Sequence, residues 1–266
     1  MRVIVTRPAQ QALAWVQGLR AAGLDAVSWP LIEIHLTRDA QSLQSAREQA
    51  AQQQALMFVS VNAVEGFFKP NQPIAGVNTA QEAINTIAFS GATRCWATGP
   101  GTVQALRAAG VDAARIDAPG AHDELDSQAL WARVQRQVHP GARVMLVRGA
   151  DAQGQLAGRP WLAQQLRSSG AQVTEVAAYE RHAPQWSDDQ RAQADAALCD
   201  GASVWLWSSS EALHNLPALP ALARAQARAV ATHARIAQAA RARGFAQVQE
   251  ARPELADLVR SIQSFA

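Results

Sequence analysis

The chain has 266 residues, of which 48% are hydrophobic and 17% are charged, and its formal net charge is +2. This composition excludes a disordered chain and is typical of a folded protein with one large or two smaller cores. The near balance of charge argues against a nucleic-acid-binding protein, whose basic side chains usually form a stripe.

Short apolar runs alternate with amphipathic helical patterns along the chain. The runs predict strands at residues 3–5, 56–59, 95–97, 144–147, 204–207 and 229–231. The segments that follow predict helices at residues 9–22, 61–68, 102–109, 161–169, 211–216 and 236–243. Glycine directly follows several of these segments, as is usual at a helix C-terminus. Continuous apolar strands alternating with helices predict an α/β fold with parallel sheets covered on both faces.

The order of strand, polar turn and helix occurs twice. The pattern of residues 2–23 recurs in residues 143–170, which predicts two copies of one α/β unit. Two short extended segments, at about residues 31–36 and 177–182, break this pattern and are predicted to connect the two domains. Residues 69–92 form an irregular insertion with a predicted short helix near residues 81–87.

The sequence also indicates a cellular compartment. Cys95 and Cys199 have no metal-like spacing and no partner framework, which fits a reducing environment. The N-terminus is typical of a strand and not of a signal peptide. No apolar run reaches the roughly 18 residues that a membrane span needs. We therefore expect a cytoplasmic protein without a membrane partner.

Polar residues follow the predicted strands, where open parallel sheets bind ligands. Each turn leads into a helix N-terminus, whose free N–H groups and dipole attract anions. Helix capping explains any one Ser, Thr or Asn, but the whole set favours a polyanion site. The predicted binding residues at these turns are Arg7, Ser60, Asn62, Gly99, Thr102, Arg148, Ser208, Ser210, His233 and Arg235.

Common catalytic and cofactor signatures do not occur in the sequence. It has no Gly-x-Gly-x-x-Gly fingerprint, P-loop, Gly-x-Ser-x-Gly elbow or zinc-ligand spacing. The turns contain no acidic pair for general acid–base catalysis. These features favour an enzyme that acts by holding an anionic substrate in shape. Tyr179, the only tyrosine, lies in the second connector, where its phenol is either a weak general acid or an aromatic side chain closing a domain edge.

Several motifs resemble those of uroporphyrinogen-III synthases, and they occur in the family's order along nearly the whole chain. They are Val5-Thr6-Arg7-Pro8, Val59-Ser60-Val61-Asn62, Ala97-Thr98-Gly99-Pro100-Gly101-Thr102, Leu146-Val147-Arg148-Gly149, Ala178-Tyr179-Glu180-Arg181 and Ser208-Ser209-Ser210. The turn at Thr232-His233-Ala234-Arg235 departs from the second Gly-Pro-like turn that members of the family often carry.

The resemblance implies two flavodoxin-like domains with parallel sheets, joined by a two-stranded connector. One domain would hold residues 1–34 and 183–266, the other residues 37–178, and the substrate hydroxymethylbilane would lie between them. The implied reaction removes the substrate hydroxyl as water, inverts ring D through a spiro intermediate and closes the macrocycle without a cofactor. Such a hydro-lyase of tetrapyrrole biosynthesis is expected to be a monomer and to act after hydroxymethylbilane synthase.

The resemblance also implies roles for individual residues. Tyr179 would assist departure of the hydroxyl, and the other turn residues would bind carboxylates or position rings. His233 and Arg235 are interpreted as additional cationic partners in the altered turn. Two alternatives remain open at this point, a non-catalytic two-domain anion-binding protein and a degenerate synthase-like protein.

Overall fold

A computed structural model describes most of the chain. The described residues are 1–68, 93–120, 123, 126–219 and 223–265. The predicted insertion at residues 69–92, with its helix near residues 81–87, lies outside them.

Strands and helices alternate in chain order. The strands are β1 (Arg2–Val5), β2 (Asp25–Ser28), β3 (Glu33–Leu36), β4 (Ala55–Phe58), β5 (Arg94–Ala97), β6 (Ile116–Asp117), β7 (Arg143–Ala150), β8 (Gln172–His182), β9 (Ser203–Trp207), β10 (Arg228–Ala231) and β11 (Gln247–Glu250). The helices are α1 (Ala9–Ala21), α2 (Ala40–Glu48), α3 (Val61–Phe68), α4 (Pro100–Ala108), α5 (Ser127–Val134), α6 (Trp161–Ser168), α7 (Asp188–Cys199), α8 (Ser210–Asn215), α9 (Ala223–Gln226), α10 (Ala234–Arg243) and α11 (Leu255–Gln263). None of the described helices is both long and apolar enough to cross a membrane.

Backbone proximity divides the chain into two compact units. Unit 1 consists of Met1–Glu33 and His182–Ala266, and unit 2 consists of Ile34–Arg181. The chain therefore leaves unit 1 inside β3 and returns to it at the end of β8.

Each unit is built around one sheet. Unit 1 has five strands in the order β11-β10-β9-β1-β2, and every neighbouring pair is parallel. The second sheet has six strands in the order β3-β8-β7-β4-β5-β6. Its pairs from β8 to β6 are parallel. The prediction of an α/β fold with parallel sheets is confirmed.

Both faces of the unit 2 sheet are covered, which explains its unbroken apolar strands. On β4, Leu56 and Phe58 pack in one hydrophobic cluster, whereas Ala55 and Met57 pack in another. Successive side chains of a strand point to opposite faces, so both must be apolar when helices cover both sides. The predicted glycine stops are also confirmed, since Gly244 after α10 adopts a left-handed φ of 105°.

One strand is longer than predicted, which corrects the placement of Arg148. The predicted strand ends at Val147, with Arg148 in the following turn. In the structure β7 continues to Ala150, because its last residues still pair with β8 across a bulge. Arg148 is therefore a strand residue. The predicted connector at residues 177–182 likewise forms the end of β8.

Candidate functional site

The carboxyl ends of parallel strands lie at one edge of each sheet, and most of the predicted binding residues are at these edges. In unit 2 the turns after β4 and β5 lead into α3 and α4, and in unit 1 the turns after β1, β9 and β10 lead into α1, α8 and α10. The first turn of a helix has backbone N–H groups without partners four residues earlier, and those that no side chain caps can meet an anion. The described residues contain no group of three or more His, Cys, Asp or Glu side chains placed to hold a metal ion.

A hydroxyl pair links two of the predicted residues in unit 2. The hydroxyl oxygens of Ser60 and Tyr179 are 3.1 Å apart, although 119 positions separate them along the chain. Ser60 Oγ also accepts a hydrogen bond of 3.2 Å from the Ala63 N–H in the first turn of α3. The phenol of Tyr179 is thus connected through Ser60 to the positive end of a helix.

The Tyr179 side chain is held in place by the core beneath it. The residue is only 4% exposed and packs in the same hydrophobic cluster as Val64 and Phe67 of α3. Burial of a large aromatic ring leaves few alternative rotamers in a close-packed interior. The hydroxyl is therefore fixed relative to the turn after β4, where Asn62 lies half-buried.

The turn after β5 is shaped by glycine and proline. Gly99 is an extended N-cap residue, Pro100 occupies the first helical position, and the Thr102 N–H donates to the Gly99 carbonyl at 3.1 Å. Proline suits that position because the N–H it lacks would be unpaired there. Thr102 is buried and Gly99 half-buried, so this turn presents mainly backbone groups.

Arg148 is buried and already paired with a carboxylate. Its Nη1 donates to Glu175 Oε2 at 2.5 Å, and its Nη2 donates to the Arg159 carbonyl at 3.3 Å. Arg167 Nη2 donates to the other Glu175 oxygen at 3.0 Å. Burial alone would raise the pKa of Glu175, but the hydrogen bonds from Arg148 and Arg167 hold it below its ordinary value.

Arg7 in unit 1 has no carboxylate partner among the described residues. Its guanidinium lies over the Trp15 ring at 4.4 Å, and its Nη2 donates to Gln11 Oε1 at 3.2 Å. Burial lowers the pKa of Arg7, and its Nε is buried without a hydrogen-bond partner in the described structure. Among the described residues, no carboxylate therefore neutralises the Arg7 guanidinium.

The remaining predicted residues in unit 1 lie at two helix starts. Ser208 is half-buried after β9, and Ser210 is the first residue of the six-residue helix α8. His233 caps α10, because its Nδ1 accepts a hydrogen bond of 3.1 Å from the Arg235 N–H. The Arg235 side chain is exposed.

The sequence interpretation missed Glu175 and Trp15. Glu175 stands in the alternating pattern of β8, and Trp15 lies two helical turns beyond Arg7. Nothing local marks either residue as a partner of an arginine. The signal for Glu175 is its position on the strand that neighbours β7 in the predicted βαβ unit.

Comparisons with known proteins agree with the motifs. A family model described as uroporphyrinogen-III synthase HemD matches residues 14–260. A mutant uroporphyrinogen III synthase from the extremely thermophilic bacterium Thermus thermophilus has a similar structure, with 15% identity and a TM-score of 0.59 over 100% of this chain and 98% of that chain. Uroporphyrinogen-III synthetase from Helicobacter pylori is also 15% identical, with a TM-score of 0.58 and 100% coverage of both chains. At this identity the likeness establishes the fold. No curated protein sequence matches the chain.

Proposed function

The chain belongs to the uroporphyrinogen-III synthase family, and from this membership we propose that it converts hydroxymethylbilane to uroporphyrinogen III. The product forms by loss of one water, inversion of ring D and closure of the macrocycle. The observation that carries the proposal is the family match over residues 14–260. No feature of the described residues favours the two alternatives, an anion-binding or a degenerate protein.

Tyr179 is proposed to give a proton to the departing hydroxyl. A hydroxyl leaves readily only as water, so the substrate C–O bond needs a proton donor as it breaks. Ser60 Oγ accepts from the Ala63 N–H, and its own proton can be donated to the Tyr179 oxygen. In that arrangement the phenol proton is not used in the bond to Ser60 and can be given to the substrate. The serine hydroxyl and the α3 N-terminus then stabilise the phenolate that remains.

Binding is proposed to rest on carboxylates of the substrate. Arg7 and the N–H groups of the helix N-termini at the two sheet edges are suitable donors for acetate and propionate side chains. Fixing several carboxylates restricts the conformations of a flexible linear tetrapyrrole and lowers the entropic cost of closing the ring.

The finer assignments follow from the same proposal. We expect a lyase that works as a cytoplasmic monomer without a cofactor and receives its substrate from hydroxymethylbilane synthase. Purified, metal-free protein should produce mainly the type III isomer from hydroxymethylbilane generated in situ, in an amount that scales with protein. Chromatography of the oxidised uroporphyrins distinguishes this outcome from the uncatalysed type I product, which alone would refute the proposal.

Tyr179→Phe should lower kcat about 100-fold, the lower end of what one general acid contributes, because the ring remains and only the proton donor is lost. Isomer chromatography measures the type III rate. Thr93→Val is a matched control, since it also removes a buried hydroxyl of unit 2. Thr93 lies just before β5, and its hydroxyl donates to the Gln53 carbonyl at 2.8 Å. The control should keep kcat. An unchanged kcat in Tyr179→Phe would remove Tyr179 from the catalytic residues.

A further inference from the structure

The Tyr179 ring lies directly against the backbone of Gly149. In the register of β7 and β8, Arg148 pairs with Ala177 and Gly149 pairs with Tyr179, so a bulge at Ala178 brings the tyrosine opposite the glycine. A methyl group added at Gly149 would lie 2.5 Å from Tyr179 Cζ, 2.7 Å from Cε2 and 2.8 Å from the hydroxyl oxygen. Carbon atoms pack at about 3.5–4.0 Å, so no other residue leaves space for this ring position.

The strand that carries the ring cannot move aside easily. The Ala178 carbonyl on β8 lies against Gly66 of α3, where an added methyl group would be 2.2 Å from the oxygen. On the other side of Tyr179, the buried carboxylate of Glu180 accepts from the Arg38 backbone N–H at 2.8 Å and from Arg38 Nε at 2.9 Å. Relief of a clash at Gly149 must therefore come mainly from the ring itself.

From this contact we infer that Gly149 is a positioning residue that sets where the Tyr179 hydroxyl meets Ser60. The expected loss of turnover rests on the proposed function, whereas the expected shift of the Tyr179 ring does not. Relieving a 2.5 Å approach requires a shift of about 1 Å, which is enough to lengthen the 3.1 Å hydroxyl pair beyond the limit of a hydrogen bond. A displacement of about 1 Å at a reacting group can cost about 100-fold in rate.

The test is Gly149→Ala, with two separate measurements. Tyr179 is the only tyrosine, so protein labelled with [13Cζ]tyrosine gives one resonance that reports on this phenol alone. Gly149→Ala should shift that resonance in the direction seen for Ser60→Ala. It should also lower kcat about 100-fold with little change in KM, since the substrate-binding turns are untouched.

The matched control is Gly18→Ala, in which the added methyl group meets a side chain that can rotate away. A methyl group at Gly18 of α1 would lie 2.6 Å from Cδ2 of Leu255, a partly exposed side chain with freedom to rotate. Gly18→Ala should change neither the tyrosine resonance nor kcat. In the Tyr179→Phe background, Gly149→Ala should cause no further loss of kcat, because the displaced ring has no hydroxyl to misplace.

Each outcome bears on the inference. An unshifted resonance together with an unchanged kcat in folded Gly149→Ala overturns it. If Gly149→Ala does not fold, the test compares the single variant Tyr179→Leu with the double variant that carries Tyr179→Leu and Gly149→Ala. The added methyl group should then be tolerated only once the ring is gone, and intolerance in both backgrounds overturns the inference. A wild-type protein that forms no type III isomer refutes the proposed function, while the resonance still tests the geometry.

Discussion

Arg7 in unit 1 and Arg148 in unit 2 occupy matching positions in the two repeats, yet their guanidinium groups meet different neighbours. The difference lies on the adjacent strand. Val5 pairs with Ser28 in one sheet, and the corresponding Leu146 pairs with Glu175 in the other. The carboxylate that neutralises Arg148 thus stands where unit 1 has a serine. The repeat predicts where an arginine lies, whereas the neighbouring strand decides whether a carboxylate pairs with it.

The largest expected effect is on stability in unit 2. Arg148→Ala should lower the free energy of unfolding by about 3 kcal/mol, because it removes a buried guanidinium and leaves the partly buried carboxylate of Glu175 with one partner fewer. Urea unfolding measures the loss. Arg167→Ala removes the other, half-exposed partner of Glu175 and should cost less than about 1 kcal/mol. Equal losses from the two substitutions would contradict a buried pair between Arg148 and Glu175.

The same pair should respond to acid. Since the folded-state pKa of Glu175 is lowered, its contribution is present above the unfolded-state pKa of about 4.3 and is lost as pH falls through the folded value. The free energy of unfolding of the wild type should therefore exceed that of Glu175→Gln at pH 7. The difference between the two should narrow at pH below about 4.3. Urea unfolding along a pH series measures the gap. A gap independent of pH would show that the ionised carboxylate does not matter.

Arg7→Gln should weaken substrate binding in unit 1. Loss of one charge-assisted contact corresponds to about a tenfold rise in KM for hydroxymethylbilane, with a stability change below that of Arg148→Ala. Arg241→Gln, an exposed arginine on α10, is the control and should keep the wild-type KM. If both variants raise KM equally, Arg7 contributes only to the overall positive charge of the protein and not through a specific contact.

The smallest effect is expected from copying the acidic residue of unit 2 into unit 1. Ser28→Glu places a carboxylate in the register that Glu175 occupies and should partly neutralise Arg7, raising KM about threefold through a half-exposed ion pair. Ser28→Gln has a similar size without charge and should leave KM unchanged. An equal rise in both variants would indicate steric interference. Steady-state kinetics decides between these outcomes.

Local patterns predict the elements of this fold better than its contacts. The sequence predicts a helix near residues 61–68, where α3 begins at Val61, because its apolar positions and the preceding serine are local signals. Helix α7 escapes prediction although Ser187 and Gln190 form a capping box, since the helix buries only Ala194 and Leu198 and has little apolar periodicity.

In the candidate site too, local patterns predict the residues better than their contacts. A strand-end position identifies Ser60, and Tyr179 is identified as the only tyrosine, in a predicted connector, but their contact spans 119 positions and depends on the strand order and the bulge in β8. The pairing of Arg148 with Glu175 depends on β7 continuing past its apolar run, which no residue of that run indicates. Register and strand length are properties of the assembled sheet, so a single strand does not reveal them.

The division of unit 1 into two chain segments has a consequence for synthesis on the ribosome. Strand β1 pairs with β9, and the Thr6 hydroxyl donates to the Leu206 carbonyl, a contact between residues 200 positions apart. The N-terminal segment can pair β1 with β2, but the other edge of β1 must wait for β9 until most of the chain has emerged. The continuous unit 2 is complete earlier and is free to fold first. During translation, the nascent Met1–Glu33 segment is thus the part of unit 1 that stays incomplete longest.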